Sequence, residues 1–209
     1  MKHLPQEDPA GLIGQAATLG VSLTLDQADR LIRFEGLLRD RAVPLGLVAK
    51  GDLPRLRPRH ILDCLRAAAV VEPSDRDAYD LGSGAGLPGI VVAIARPGLR
   101  VLLVEAQRRR GAFLEFAAAT LALANVGVWI GRAERLVDPV DICFARALSP
   151  LPAVWDLARN LLRPTGKLVY FAGRETTRSP ISIPADAVSR LVGTPVLESA
   201  GPLVIMTRQ

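Results

Sequence analysis

Residues 80–89 read Asp80-Leu81-Gly82-Ser83-Gly84-Ala85-Gly86-Leu87-Pro88-Gly89, with an apolar run on either side. Glycines between a strand and a helix let a ligand approach the main chain where a Cβ would block it. From Gly84 the spacing satisfies G-x-G-x-x-G, so a dinucleotide is one reading of the loop, although that match alone is weak. Asp80 opens the loop. A carboxylate there repels a pyrophosphate and attracts an ammonium or a sulfonium.

Two further acids follow at the ends of later strand-like runs. Glu105 closes Val101 to Glu105, where a carboxylate can accept hydrogen bonds from both hydroxyls of a ribose, and Ala133-Glu134 follows Val126 to Ile130, where an adenine edge would be read. One carboxylate, a glycine loop, a second carboxylate and a polar pair, in that order, suit S-adenosylmethionine better than NAD. A cofactor site is therefore expected at Asp80, Gly82, Gly84, Gly86, Glu105, Ala133 and Glu134. Taken singly, Gly89 could serve only helix–sheet packing, and Glu105 and Glu134 could be solvated acids.

The fourth run ends in Ala145-Arg146-Ala147-Leu148, with none of the D-P-P-Y or N-P-P-Y motifs that bind and polarise an exocyclic amine. Arg146 is the candidate catalytic residue, as an orienting cation rather than a base. His60 is expected to bond nearby backbone or Asp63 rather than to do acid–base work. Trp129 and Trp155 are read as core residues on a buried strand and a helix. Arg55, Arg57, Arg59, His60 and Arg66 form one basic stretch and Arg108-Arg109-Arg110 another, the pattern of a surface that meets a polyanion.

Those residues need a frame to bring them together. Residues 10–72 show helical spacing. Thr24 and Gln27 make a capping-box pattern ahead of a helix over 25–41 with Leu25, Ala28, Leu31, Ile32, Glu35 and Leu38 on its apolar stripe, and Pro58 starts a second whose Ile61, Leu62, Leu65, Ala68 and Ala69 face inward. From residue 77, strand-like runs (78–81, 101–105, 126–130, 142–145, 168–171) alternate with helical ones (88–95, 108–123, 151–162). This predicts an α/β, Rossmann-like, doubly wound, mainly parallel sheet. Val196-Leu197 and Leu203 to Met206 are expected to form an antiparallel C-terminal hairpin at its edge. The expected division is an N-terminal helical cap, residues 1–75, and a cofactor-binding domain, residues 76–209.

Composition agrees with one main domain plus an appendage. In 209 residues, 49% are apolar and 22% charged, and 26 Lys+Arg against 21 Asp+Glu give a net charge of +5. Cys64 and Cys143 lie among aliphatic residues with no partner at metal-ligand spacing, so buried thiols and no metal are expected. The start, Met1-Lys2-His3-Leu4-Pro5, is followed by no apolar core of a secretory signal, and Phe116 to Ile130 falls short of the about 20 apolar residues a membrane span needs. A cytoplasmic monomer is the expectation.

The chain resembles the GidB/RsmG family, bacterial methyltransferases acting on guanine N7 of 16S ribosomal RNA. Arg59-His60-Ile61-Leu62-Asp63-Cys64-Leu65 is similar to the family's R-H-I-L-D-S-L, and residues 80–89 to its D-[IV]-G-S-G-A-G-L-P-G. Arg109 to Glu115 resembles K-R-x-x-F-L-E, Arg132-Ala133-Glu134 R-A-E, and Ala145-Arg146-Ala147 S-R-A. The likeness is firm over residues 59–148 and looser over 25–209. It implies a class I S-adenosylmethionine-dependent methyltransferase, with Gly82, Leu87, Ala133, Glu134 and Arg146 contacting the cofactor and 16S rRNA or the 30S subunit as partner. Two features depart from the family. Its W-N…N-L-T is replaced by Arg41 to Leu47, without Asn or Thr, and its A-L-K-G by Tyr170-Phe171-Ala172-Gly173, with Arg174 next to it. These changes leave open methylation of another RNA or a small molecule, and an alternative of a different class is a catalytically silent RNA- or ribosome-binding domain of the same fold.

Overall fold

The structure, a computed structural model, describes residues 8–173, 182–193, 197 and 200–209. Arg174 lies outside them, as does Val196.

Helix α1 (Pro9–Thr18) starts where the Asp8 side chain accepts from Gly11 N–H, 2.9 Å. Helix α2 (Leu25–Leu37) starts with the full capping box, in which Thr24 Oγ1 accepts from Gln27 N–H and Gln27 Oε1 accepts from Thr24 N–H. The Gln27 amide also donates to the carbonyls of Ile94 and Ala95, which ties α2 to the last turn of a helix over 60 residues away. Its buried stripe is Ala28, Leu31, Ile32 and Phe34. Leu25, expected on that stripe, is instead 65% exposed at the first position of the helix, and Glu35 is held by Arg57 at 2.9 Å.

The helix expected from Pro58 begins instead as a wide π turn, Arg57–Leu62, after a 3-10 turn, Lys50–Arg55, and becomes α3 only over Asp63–Ala69. Ile61, Leu62, Leu65 and Ala68 are buried, whereas Ala69, in the last turn, is exposed. A π turn shifts every following side chain around the axis, and here it carries His60.

Strands β1 (Asp77–Leu81), β2 (Arg100–Glu105), β3 (Val126–Ile130), β4 (Val140–Arg146) and β5 (Leu162–Phe171) run parallel. Together with β6 (Ala187–Val192) and β7 (Leu203–Arg208) they form a seven-stranded sheet in the order β3-β2-β1-β4-β5-β7-β6. β7 pairs antiparallel with both β5 and β6. The edge hairpin therefore exists, but the partner of β7 is Ala187–Val192, and Leu197 lies outside any strand. Helices α4 (Gly89–Ala95), α5 (Arg108–Thr120) and α6 (Leu151–Leu161) connect the parallel strands.

One core holds α4 and α5 against one sheet face and continues without a break into Leu12, Leu31, Phe34 and Leu65 of the N-terminal helices. The other face is closed by α6, whose Trp155 is fully buried. Trp129 does not belong to either core. β3 is an edge strand covered on one face only, so Trp129 is 39% exposed. No helix of the described residues is long and apolar enough to cross a membrane.

Candidate active site

Strand order reverses between β1 and β4, because β2 and β3 extend to one side of β1 and β4 and β5 to the other. Doubly wound sheets open a crevice outside the carboxyl ends of the strands at such a point. Here the crevice lies between the loop after β1 and Arg146-Ala147 after β4.

The loop conformation requires its glycines. Gly82, Gly84 and Gly86 have φ of +70°, +56° and +83°. Among the described residues, all of its N–H groups except that of Ala85 are already engaged. Gly82 and Ser83 donate to Val104 O, Gly84 donates to Glu105 Oε2, Gly86 and Leu87 donate to Ser83 O, and Gly89 donates to Asp80 Oδ2. A pyrophosphate needs free N–H groups at the helix start. This loop offers a contoured surface with all but the Ala85 N–H closed off, which disfavours the dinucleotide reading.

Two expected site residues stand behind that surface. Asp80 is fully buried and does not line the crevice, so it does not present its carboxylate to a ligand in the loop as expected. One oxygen accepts from Gly89 N–H at 3.1 Å and the other has no hydrogen-bond partner among the described residues. Burial pushes its pKa up to about 7, against the pull of the Gly89 hydrogen bond. Gly86 is likewise a packing residue, since a Cβ there would strike Ile90.

The Asp80 shift has a measurable sign. Between its unfolded pKa near 3.8 and about 7 the folded chain binds the extra proton, so this group's contribution to stability falls as pH rises through that window. Asp80→Asn is expected to gain thermal stability over the wild type progressively from pH 5 to 8. Parallel melting curves across that range would contradict the assignment.

The remaining expected residues line two adjoining lobes. One, about 310 Å³, is walled by Gly82, Gly84, Leu87, His60, Asp52 and Arg146. The other, about 350 Å³, contains Glu105, Ala133, Glu134 and Leu148, and the lobes share Gly82, Arg110 and Ala147. Glu105 is buried, and each of its oxygens accepts from a main-chain N–H, Gly84 at 3.1 Å and Gln107 at 2.9 Å. A carboxylate has about four acceptor sites. Glu105 thus pins the loop and keeps lone pairs for a ligand.

Arg146 joins the sheet to the N-terminal helices. Its guanidinium donates to Arg59 O (2.9 Å), Cys64 Sγ (3.2 Å) and His60 Nδ1 (3.3 Å), approaches Asp63 Oδ2 at 3.4 Å and lies 5.7 Å from the Phe171 ring centre. His60 does not bond Asp63 as expected. Its Nε2 faces Asp52 Oδ2 at 3.2 Å, so a neutral ring donating to Asp52 and accepting from Arg146 satisfies both nitrogens. Desolvation and the Arg146 charge lower the His60 pKa, although Asp52 opposes them. A lowered folded pKa means stability present above about pH 6.5 and lost as pH falls through the folded value. His60→Gln should flatten the acid side of the stability profile, and an unchanged acid slope would assign it to other groups.

Cys64 is buried and its thiol is pushed up to about 12, so it acts as a neutral acceptor for Arg146. Asp52 was not legible as a site residue, since it falls in a stretch broken by Gly51 and Pro54. Its one signal is a lone acid facing Arg55, Arg59 and His60. That acid also revises the first basic stretch: Arg55 and Arg59 pair with Asp52, Arg57 pairs with Glu35, and Arg66 is buried against Asp63. Arg108 and Arg109, at the start of α5, are exposed.

The family model for rRNA small subunit methyltransferase G, GidB, matches residues 27–180. Curated relatives of that name include one from Acidothermus cellulolyticus, 41% identical over 143 residues, and one from Thermobifida fusca, 45% identical over 146 residues. Those alignments each cover 68% of this chain, and 64% and 60% of the relatives, so the matched part spans under two thirds of their length. The relative from Salinispora tropica is 40% identical over 190 residues, 86% of this chain and 77% of its own. Among solved structures, the O-methyltransferase TomG from Streptomyces achromogenes, in complex with SAM, superposes with a TM-score of 0.61 at 17% identity over 99% of this chain and 100% of that one. A methyltransferase from Geobacter sulfurreducens gives 0.57 at 18% over 87% and 90%. The fold is that of class I S-adenosylmethionine-dependent methyltransferases, and the chain belongs to the rRNA small subunit methyltransferase G family.

Proposed function

We propose that this chain transfers a methyl group from S-adenosylmethionine to N7 of a guanine in 16S rRNA, acting on that RNA or on the 30S subunit. The observation that carries the reading is the two-lobed crevice at the strand-order reversal, with most loop amides turned to internal partners, Glu105 and Glu134 in the far lobe and Arg146 at the near end. Family membership supplies the reaction class.

The residues fit this cofactor. A Cβ on Gly84 would meet only Gly82 O, at 3.8 Å, and otherwise stand in open space, so the near lobe is a cradle that a side chain would fill. Gly82, Gly84 and Leu87 would bound the methionine part, with Gly86 and Asp80 holding the loop's shape from behind. Glu105 would take the ribose hydroxyls, and Ala133-Glu134 would meet the adenine. When bound, the cofactor supplies an electrophilic sulfonium methyl. Guanine N7 has an in-plane lone pair and carries no hydrogen, so bond formation requires no base. Arg146, clamped by Arg59 O and Cys64, would orient the reactants, and fixed orientation is worth up to roughly 7–11 kcal/mol. Residues 1–75 would act as the cap that holds this clamp.

Methyl-tritiated cofactor should label 30S particles far above small-molecule acceptors, and NAD and NADP should not compete for binding. Equal labelling of free small molecules would favour the small-molecule alternative. Charge reversal at Arg108 and Arg109 should weaken RNA binding and reduce the log–log salt slope by about 0.7–0.9 per lost phosphate contact. An unchanged slope would make those arginines a solvated face.

A further inference from the structure

Beyond Arg146, away from the glycine loop, lies a second cleft of about 440 Å³ that shares Arg59, Arg146 and Ala147 with the near lobe. Its walls include Asp63, Tyr170, Phe171 and Gly201. The main chain closes in on one side: a Cβ on Gly201 would collide with the carbonyls of Ala172 and Gly173. The cleft opens next to the methyl-transfer end of the crevice, with the Phe171 ring beside the Arg146 guanidinium on its wall, and its volume is large enough for one flat ring.

The polar groups at its inner end are held fast. Asp63 Oδ1 receives Arg66 Nε at 3.1 Å and Arg66 Nη2 at 2.5 Å, and Arg66, itself buried, also donates to Gly201 O at 3.0 Å. Among the described residues the other oxygen, Oδ2, has only the 3.4 Å approach of Arg146 Nη2. Arg146 has five N–H donors. Among the described residues its Nη atoms engage Arg59, His60, Cys64 and Asp63, and Nε has no bonded partner. An acceptor and a donor therefore stand side by side on the slot wall, at a spacing set by the Arg66 clamp.

Guanine presents the complement on adjacent atoms, an acceptor at O6 and a donor at N1–H. Adenine presents the reverse, a donor at N6 and a lone pair at N1. It would set a lone pair against a carboxylate and an N–H against a guanidinium, the kind of mismatch on which a buried polar site discriminates most strongly. On the guanine ring O6 lies between N1 and N7, so a base held through O6 and N1–H leaves N7 free of protein contacts.

We propose that this slot is the target-base subsite and that Asp63, with Arg146, selects guanine by reading N1–H and O6. The inference rests on the guanine-N7 reading above and adds the residue that would enforce it. Asp63 is a specificity residue that touches the base, and it does not line either cofactor lobe.

The test uses the full chain saturated with S-adenosylhomocysteine, with GMP, IMP, N1-methyl-GMP and AMP as probes and ligand-detected NMR as readout. GMP and IMP, which share O6 and N1–H, should bind alike, and at least tenfold more tightly than AMP or N1-methyl-GMP. Asp63→Asn should bring GMP and AMP within about threefold of each other while S-adenosylmethionine affinity changes less than twofold. Equal binding of GMP and AMP by the wild type overturns the proposal without any variant, as does a folded Asp63→Asn protein that keeps the full preference. The preference and the activity fail separately. A guanine-selective slot in a chain that labels no 30S particle would leave the subsite standing and remove the function, whereas 30S labelling without base preference would do the opposite.

Discussion

Replacing Arg146 with alanine is expected to lower the single-turnover rate of methyl transfer to 30S particles by about a hundredfold, the order of loss that follows when reacting groups are misplaced by about 1 Å. The guanidinium spans the junction of the near lobe and the base slot and is held by Arg59 O, Cys64 and His60. Its removal lets the two ends of the crevice move independently. It also takes away the donor to Cys64 Sγ and His60 Nδ1 and the cation beside Asp63 Oδ2, so a loss of stability should accompany the kinetic one. Because a guanidinium does not lose its proton near neutrality, the rate loss should be even from about pH 7 to 9, with no midpoint appearing in that range. Arg146→Lys should recover only part of the rate, since an ammonium cannot bridge several acceptors with a planar fork. A loss confined to one side of a midpoint in that range would point to a base elsewhere in the crevice.

The second large effect is expected at Gly82. Its φ of +70° disfavours a branched side chain, so Gly82→Val strains the backbone of the loop that both lobes share, whereas the 2.6 Å approach of a Cβ to Leu148 Cδ1 falls on the end of a flexible, exposed side chain. Affinity for S-adenosylmethionine should fall well over tenfold by calorimetry while the far-UV spectrum stays that of a folded chain. The damage comes from the loop and not from the valine entering the ligand volume, because the Cβ points at Leu148. Adding Leu148→Ala should therefore restore only the steric part, leaving the cost of the left-handed backbone. Full recovery would show that φ at this position is unimportant.

The parallel half of the fold was legible because each strand is an apolar run bounded by glycine, proline or charge, and each helix after it keeps a buried stripe. Legibility ended where partners are distant. The pairing of β7 with Ala187–Val192 could not be read, because β6 is mostly exposed and carries no apolar run. Trp129 was misplaced because strand character does not say which strand is an edge. At the site, Gly82, Glu105 and Glu134 announced themselves by order along successive strand ends. Asp80 has the right position but faces inward, since the helix that begins at Gly89 needs its first N–H capped from below. Asp52 and the His60 contacts were hidden for a different reason: they depend on a π turn and on Arg146, 86 residues from His60. The basic stretch over 55–66 looked like a polyanion surface until its arginines found Asp52, Glu35 and Asp63.

The central claim, methyl transfer to guanine N7 of small-subunit RNA, is tested most directly by chemical mapping of the product. Purified chain and S-adenosylmethionine are incubated with 30S particles from cells lacking this activity, and the extracted 16S rRNA is treated with borohydride and aniline, which cleave the strand at N7-methylguanine. New cleavage is expected at a single guanine, dependent on both the chain and the cofactor and absent with Arg146→Ala at matched times. Label incorporated without aniline-sensitive cleavage would place the methyl on another atom and contradict the claim.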